Sequence, residues 1–190
     1  DDIYTSFGYS FPFTPIVKLE GMRERTVIIN SFSKNFTMTG WRVGNIIAPE
    51  VIVRTVQQIN ENLSFTVPSV SQRAAIYALR NRTIIQPPLI EEYKRRTFYG
   101  AERMNRIPNM SVSYPPMGGF YLFPNIKATR LTSTEVSERL LHEAHVLTIP
   151  GNAFGKCGEG YIRFCCTVNM DMLREAFDRI ERMPLFSGNR

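Results

Sequence analysis

Apolar residues recur along this chain in two rhythms, and the change between them marks how it is organised. Thr26 to Ser31 holds Val27, Ile28 and Ile29 in one unbroken run, which predicts a buried strand of a parallel sheet. Val43 to Ala48 offers a second strand, ended by Pro49. Ile52, Val56, Ile59 and Leu63 then recur at helical spacing and make one apolar stripe. Another helix is expected after Pro68, with Val70, Ala74, Tyr77 and Ala78 on its inner face. Pro87 and Pro88 suit the first turn of a long helix running towards Ile107. Leu89, Tyr93, Thr97, Ala101 and Met104 share one side of it, and charged residues occupy the others.

Beyond Pro108 the pattern shortens. Val112 to Tyr114 and Phe120 to Phe123 read as strands around a Pro115-Pro116-Met117-Gly118-Gly119 turn. Thr132 and Glu135 match a capping box, opening a helix that buries Val136, Leu140 and Leu141. Strands are expected at Val146–Ile149 and Tyr161–Thr167, and a last helix, capped by Asn169, gathers Leu173, Ala176, Phe177 and Ile180. The order is α/β first and then a smaller α+β unit, with the boundary near residue 107.

Bulk properties change this picture little. The 190 residues are 43% hydrophobic and 21% charged, ordinary values for a globular protein, and they suffice for a sizeable core. No apolar run is long enough for a transmembrane helix, and the opening Asp1-Asp2-Ile3-Tyr4 reads like the interior of a longer protein. The net charge of +6 is scattered; its one tight run, Lys94-Arg95-Arg96, sits beside Glu91 and Glu92 as a solvated helix face. Nucleic acid is therefore not expected as a partner. Cys157, Cys165 and Cys166 form no CxxC pair, and His142 and His145 have no acidic or thiol partner nearby in sequence, so no metal site is expected.

One segment carries chemistry: Asn30-Ser31-Phe32-Ser33-Lys34-Asn35-Phe36-Thr37-Met38-Thr39-Gly40-Trp41-Arg42-Val43-Gly44. A lysine just past a buried strand can be desolvated enough to act as an amine nucleophile. Ser31 and Arg42 flank it with a hydroxyl and a fixed cation, both suited to a phosphate, while Gly40 and Gly44 permit close backbone approach. Arg163 stands in an otherwise apolar strand, where its desolvation calls for a carboxylate, either internal or from a substrate.

The run resembles the cofactor-lysine signature of class I/II aminotransferases, S-x-x-K-x-x-x-x-x-G-x-R-x-G, through Ser31, Lys34, Gly40, Arg42 and Gly44. Its Met38-Thr39-Gly40-Trp41-Arg42 wording is similar to the aspartate and aromatic branch. Asp1-Asp2-Ile3-Tyr4 resembles the D-x-x-Y strand end, and Met117-Gly118-Gly119-Phe120-Tyr121 the G-A-F-Y turn. Pro150-Gly151-Asn152-Ala153-Phe154-Gly155 through Cys165 resembles P-G-x-x-F-G…G-x-G-x-x-R-x-S, with Cys165 where serine is common.

The resemblance implies an α/β fold. Residues 1–107 would be the C-terminal part of a fold-type I large domain, a mainly parallel sheet with helices that includes the bridging helix. Residues 108–190 would be a small α+β domain. It also implies pyridoxal 5'-phosphate as cofactor, carried by Lys34, with Asp1 at the pyridinium nitrogen, Tyr4 at the phenolic oxygen and Ser31 and Arg42 at the phosphate. Arg163 would grip the α-carboxylate of an amino acid or 2-oxo acid. A cytoplasmic homodimer about twice this length follows from the same resemblance. A fold-type I carbon–sulfur lyase and the aminotransferase-like sensor domain of a transcription regulator share these residues and remain alternatives.

Overall fold

A computed structural model describes residues 2–187. The chain divides into two compact units, Asp1–Glu91 and Glu92–Arg190. In the first, strand β1 (Ile28–Ser31) runs straight into a single helical turn, α1 (Phe32–Asn35). The chain returns through a tight turn at Thr39–Trp41 to β2 (Gly44–Ile47). The two strands pair antiparallel, with Ser31 opposite Gly44 and Ile28 opposite Ile47. The neighbour that this chain itself supplies to β1 is thus an antiparallel one. A parallel neighbour needs a crossover that carries the chain back to the strand's starting end. Residues 32–43 instead fold into two short turns at one end of the pair.

The core of this unit lies beneath that connection. Phe32, Met38, Val43, Ala75 and Ala78 are buried together, with Phe36, Val67 and Ala74 packed against them. The run Val27–Ile29 is not buried in this chain as expected: Val27 is 39% exposed and Ile29 is 48% exposed. The predicted stripe forms on α2 (Glu50–Leu63), yet no residue of that helix is buried in this chain. Helix α3 (Ser69–Arg80) turns Ser71, Ala75 and Ala78 inward, leaving Val70 and Tyr77 exposed. Small side chains there meet the bulky Phe32–Met38 cluster, so fit rather than hydrophobicity selects the buried face.

The long helix α4 (Arg82–Met104) begins before Pro87 and Pro88, which lie inside it. Its extra turn is held by the Asn81 carbonyl, which accepts from the Ile84 and Ile85 amides. Each proline lacks the N–H that the carbonyl one turn earlier would receive. The later part of α4 buries Thr97, Gly100, Ala101 and Met104 in the second unit's core. The division into compact units falls inside this helix.

In the second unit β3 (Tyr121–Leu122), α5 (Ser133–Ala144), β4 (Ile149–Pro150), β5 (Ile162–Cys165) and α6 (Met170–Glu181) follow one another. The antiparallel sheet has the order β3-β5-β4. Val112–Tyr114 does not form the expected strand; Ser111 alone bridges to Asn125. Helix α6 buries Leu173, Ala176, Phe177 and Ile180 as its spacing predicts. Helix α5 buries Val136, Ser137, Leu140 and Ala144, whereas Leu141 is 42% exposed, since it lies beside the inward stripe. Arg103 fastens α4 to α6: its guanidinium meets Asp178 at 2.8 Å and Glu181 at 2.9 Å and lies over the Phe177 ring. Among the described residues, no helix is long and apolar enough to cross a membrane.

Two carboxylates serve the start of α5. Thr132 and Glu135 form the expected capping box. Glu159, from the turn before β5, accepts from the Ser133 amide at 2.7 Å, the Ser133 hydroxyl at 3.0 Å and the Gly160 amide at 3.0 Å. The Ser133 amide foremost holds the Glu159 carboxyl below its ordinary value of 4.5, and the Thr132 hydroxyl does the same for Glu135. A depressed folded-state pKa contributes stability above the unfolded value, and that contribution fades as pH falls through the folded one. Glu159→Gln should therefore lower the melting temperature at neutral pH, with the gap from wild type closing in acid below 4.5. Thermal melts at several pH values check it; a pH-independent gap would contradict the account.

Candidate active site

Lys34 sits in the α1 turn directly after β1 and is half-buried. Ser31 caps that turn, its hydroxyl oxygen accepting from the Ser33 amide at 3.0 Å, so the hydroxyl proton stays available to a further acceptor. Arg42 closes the same connection from the other side. Its backbone is left-handed, with φ 50°, and its guanidinium donates to the Thr39 carbonyl at 2.9 Å. Thr37, also left-handed at φ 54°, lies in the same segment. Such conformations in residues other than glycine cluster where function over-determines the backbone. No carboxylate pairs with Lys34 or Arg42 among the described residues, leaving two cations and a hydroxyl on one short connection.

Gly44 is needed for contact within the sheet, because a Cβ there would come within 2.5 Å of the Asn30 carbonyl oxygen. Gly40 faces open space, so the close approach expected of it does not occur in this chain.

A buried amide ties the Lys34 turn to the segment after Tyr4. Asn35 donates through Nδ2 to Thr5 Oγ1 at 2.9 Å, and its Oδ1 accepts from the Ser6 amide at 3.2 Å. Gln86, from α4, donates to Ser6 Oγ at 3.1 Å and to the Asn35 carbonyl at 3.4 Å. The residues that follow Tyr4 and Lys34 are thus hydrogen-bonded across 30 positions of sequence. The only sequence signal for Asn35, Thr5, Ser6 and Gln86 is an amide beside the lysine, and only burial gives that weight. An open cavity of about 520 Å³ adjoins this network, lined by Ser31, Asn35, Asn45, Arg82 and Gln86 among others. Asp1 lies outside the described residues, but the Asp2 amide donates to the Ile29 carbonyl at 2.8 Å, alongside β1.

Arg163 belongs to the second unit. It lies half-buried on β5, with no carboxylate partner among the described residues. Its guanidinium carbon lies 4.8 Å from the centre of the Tyr121 ring and 5.0 Å from that of Phe154. Among the described residues, no internal ion pair explains this arginine.

A family model described as aminotransferase class I and II matches residues 1–180. The chain belongs to that family. It is 40% identical over 186 residues to the aspartate aminotransferase of Pyrococcus abyssi, covering 96% of this chain and 47% of that protein. It is 39% identical over 186 residues to aromatic-amino-acid aminotransferase 2 of Thermococcus litoralis, with the same shares covered. The crystal structure of aromatic aminotransferase from Pyrococcus horikoshii superposes with a TM-score of 0.88 at 38% identity, over 95% of this chain and 49% of that one. Mixed α/β architecture and fold-type I membership agree with these likenesses. The chain spans about half the length of the curated relatives it matches.

In this class I and II aminotransferase chain, the glycine-rich stretch before β5 has a steric explanation. A Cβ on Gly151 would fall 1.9 Å from the Gly158 carbonyl oxygen, and one on Gly158 would fall 2.0 Å from that of Gly151. Two backbone segments cross there with no room for a side chain. The stretch is not a phosphate cradle, as no helix follows it: the chain makes short turns at Gly151–Phe154 and Lys156–Gly158 and enters β5.

The Asn35 network makes a measurable claim. Asn35→Ala leaves the Ser6 amide and the Thr5 hydroxyl without that partner in a partly buried place, and should destabilise the protein by about 1–3 kcal/mol. Urea denaturation measures the loss; a change within error would mean that the amide does not hold the two segments together.

Proposed function

We propose that this chain works as part of an aminotransferase about twice its length, which moves an amino group between an amino acid and a 2-oxo acid. The observation that carries the reading is the Lys34 turn, where an amine, a guanidinium and an available hydroxyl share one connection with no carboxylate paired to them among the described residues. That donor set fits pyridoxal 5'-phosphate, an anion bearing an aldehyde. When bound, this group supplies an electron sink for charge developing at the substrate α-carbon.

In this reading Lys34 would hold the cofactor through its amine, and the same amine would serve to take up and return a proton at the substrate α-carbon. Ser31 and Arg42 hold the phosphate, Arg42 through the guanidinium donors that its Thr39 contact leaves over. Tyr4 hydrogen-bonds the phenolic oxygen, and the Thr5–Asn35 bond fixes its segment against the lysine's turn. Asp1 would face the pyridinium nitrogen as its carboxylate partner. Arg163 receives the substrate α-carboxylate through two parallel hydrogen bonds, a geometry lysine cannot reproduce. The relatives named above are aminotransferases, which supports transfer over carbon–sulfur lysis and over a sensor role. A cytoplasmic homodimer of the longer protein belongs to the same proposal.

Borohydride reduction of the cofactor-loaded full-length protein should leave the cofactor on the Lys34 peptide, and mapping it to another lysine would overturn the assignment. Arg163→Ala should keep that attachment but lower kcat/KM for amino acids. The expected loss is about 1.5–3 kcal/mol, that of a hydrogen bond to a charged group. Steady-state kinetics decide this; an unchanged kcat/KM would make Arg163 structural.

A further inference from the structure

Resting on that reading of Arg163, we infer that Phe154 is a positioning residue for the substrate carboxylate, acting through the guanidinium it faces. The two rings under Arg163 come from opposite sides of its strand. Tyr121 lies on β3 and Phe154 follows β4, in a sheet ordered β3-β5-β4. A ring face attracts a cation and prefers it over the π cloud, so two such rings restrict the plane and direction of the guanidinium fork. They do so without occupying its N–H donors, which an internal carboxylate would have taken. Arg163 thereby has a defined orientation and a free fork, which is what bidentate binding of an external carboxylate requires.

Phe154 is itself held in place, although it is 52% exposed. It ends the turn Gly151–Phe154, whose first residue is locked by the close backbone crossing with Gly158. Its ring meets Phe123 edge-on at 5.9 Å and 85°. Phe123 in turn stacks on Tyr161 at 5.3 Å, with the Lys127 ammonium over the far member at 5.1 Å. These contacts hold the ring where it faces the Arg163 guanidinium.

The test uses the full-length, cofactor-loaded enzyme and three variants: Phe154→Leu, which keeps apolar bulk without a π face, Phe154→Tyr, which restores the face, and Arg163→Ala. Three quantities are read: the KM and kcat for an amino acid, and the dissociation constant of hexanoate, a carboxylate that cannot react. Phe154→Leu should raise KM and weaken hexanoate binding roughly fivefold, the scale of one partly exposed cation–π contact, with kcat within about twofold. Phe154→Tyr should return both values to wild type. Wild-type KM and hexanoate binding in Phe154→Leu, with both weakened in Arg163→Ala, would overturn the inference alone. Wild-type values in both variants would overturn the carboxylate role of Arg163 and the inference with it. Equal loss of melting temperature in the Leu and Tyr variants with no KM change would reduce Phe154 to packing, and would overturn it too.

Discussion

A primary amide offers two acceptor lone pairs and two donors on one planar group, and the first unit depends on how Asn35 uses them. The segment after Tyr4 does not extend the β1–β2 pair, and nothing covalent joins it to the turn that carries Lys34. What aligns the two is the Asn35 side chain, which donates to Thr5 and accepts from Ser6, with Gln86 closing the ring from α4. At 9% exposure these bonds face little competition from water, so each is firmer than a surface counterpart, and each is expensive to leave unmade. The chemistry proposed for Lys34 and Tyr4 requires their mutual placement. Their sequence neighbours supply it.

The second unit solves a similar problem by steric means. Gly151 and Gly158 let two backbone segments pass where any side chain would collide, and that crossing sets the turn on which Phe154 stands. Arg163 then lies over Phe154 and Tyr121 on the neighbouring strand. The result is a cation held in place without being neutralised. Arg103 shows the contrasting use of the same residue type. There Asp178 and Glu181 engage the fork, the guanidinium covers Phe177, and its pKa is raised further by those carboxylates against the opposing effect of burial. One arginine fastens two helices; the other keeps its donors free.

The apolar surface of the first unit reflects a different constraint. Ile52, Ile59 and Leu63 form the stripe expected of a packed helix but remain exposed on α2, and Ile29 and Ile47 are exposed on the strand pair. A stripe of that kind specifies a neighbour. The chain spans about half the length of the curated relatives it matches.

The sequence by itself determined whatever depends on local chemistry or one-dimensional period. The Thr132–Glu135 capping box, the buried face of α6, and the lysine signature from Ser31 to Gly44 were all legible, because caps, helical repeats and motifs are written in neighbouring residues. Tertiary structure decided what depends on which surface meets which. The β1–β2 pair is antiparallel because residues 32–43 stay at one end of it. Helix α3 buries Ser71, Ala75 and Ala78 in place of the larger Val70 and Tyr77, because a cluster of bulky side chains lies opposite. Asn35 matters through partners far away in sequence, and Arg163 lies over two rings, one from a strand and one from a separate turn. Residue spacing encodes neither, since a hydrogen bond or a ring contact is a relation between positions that only folding brings within reach.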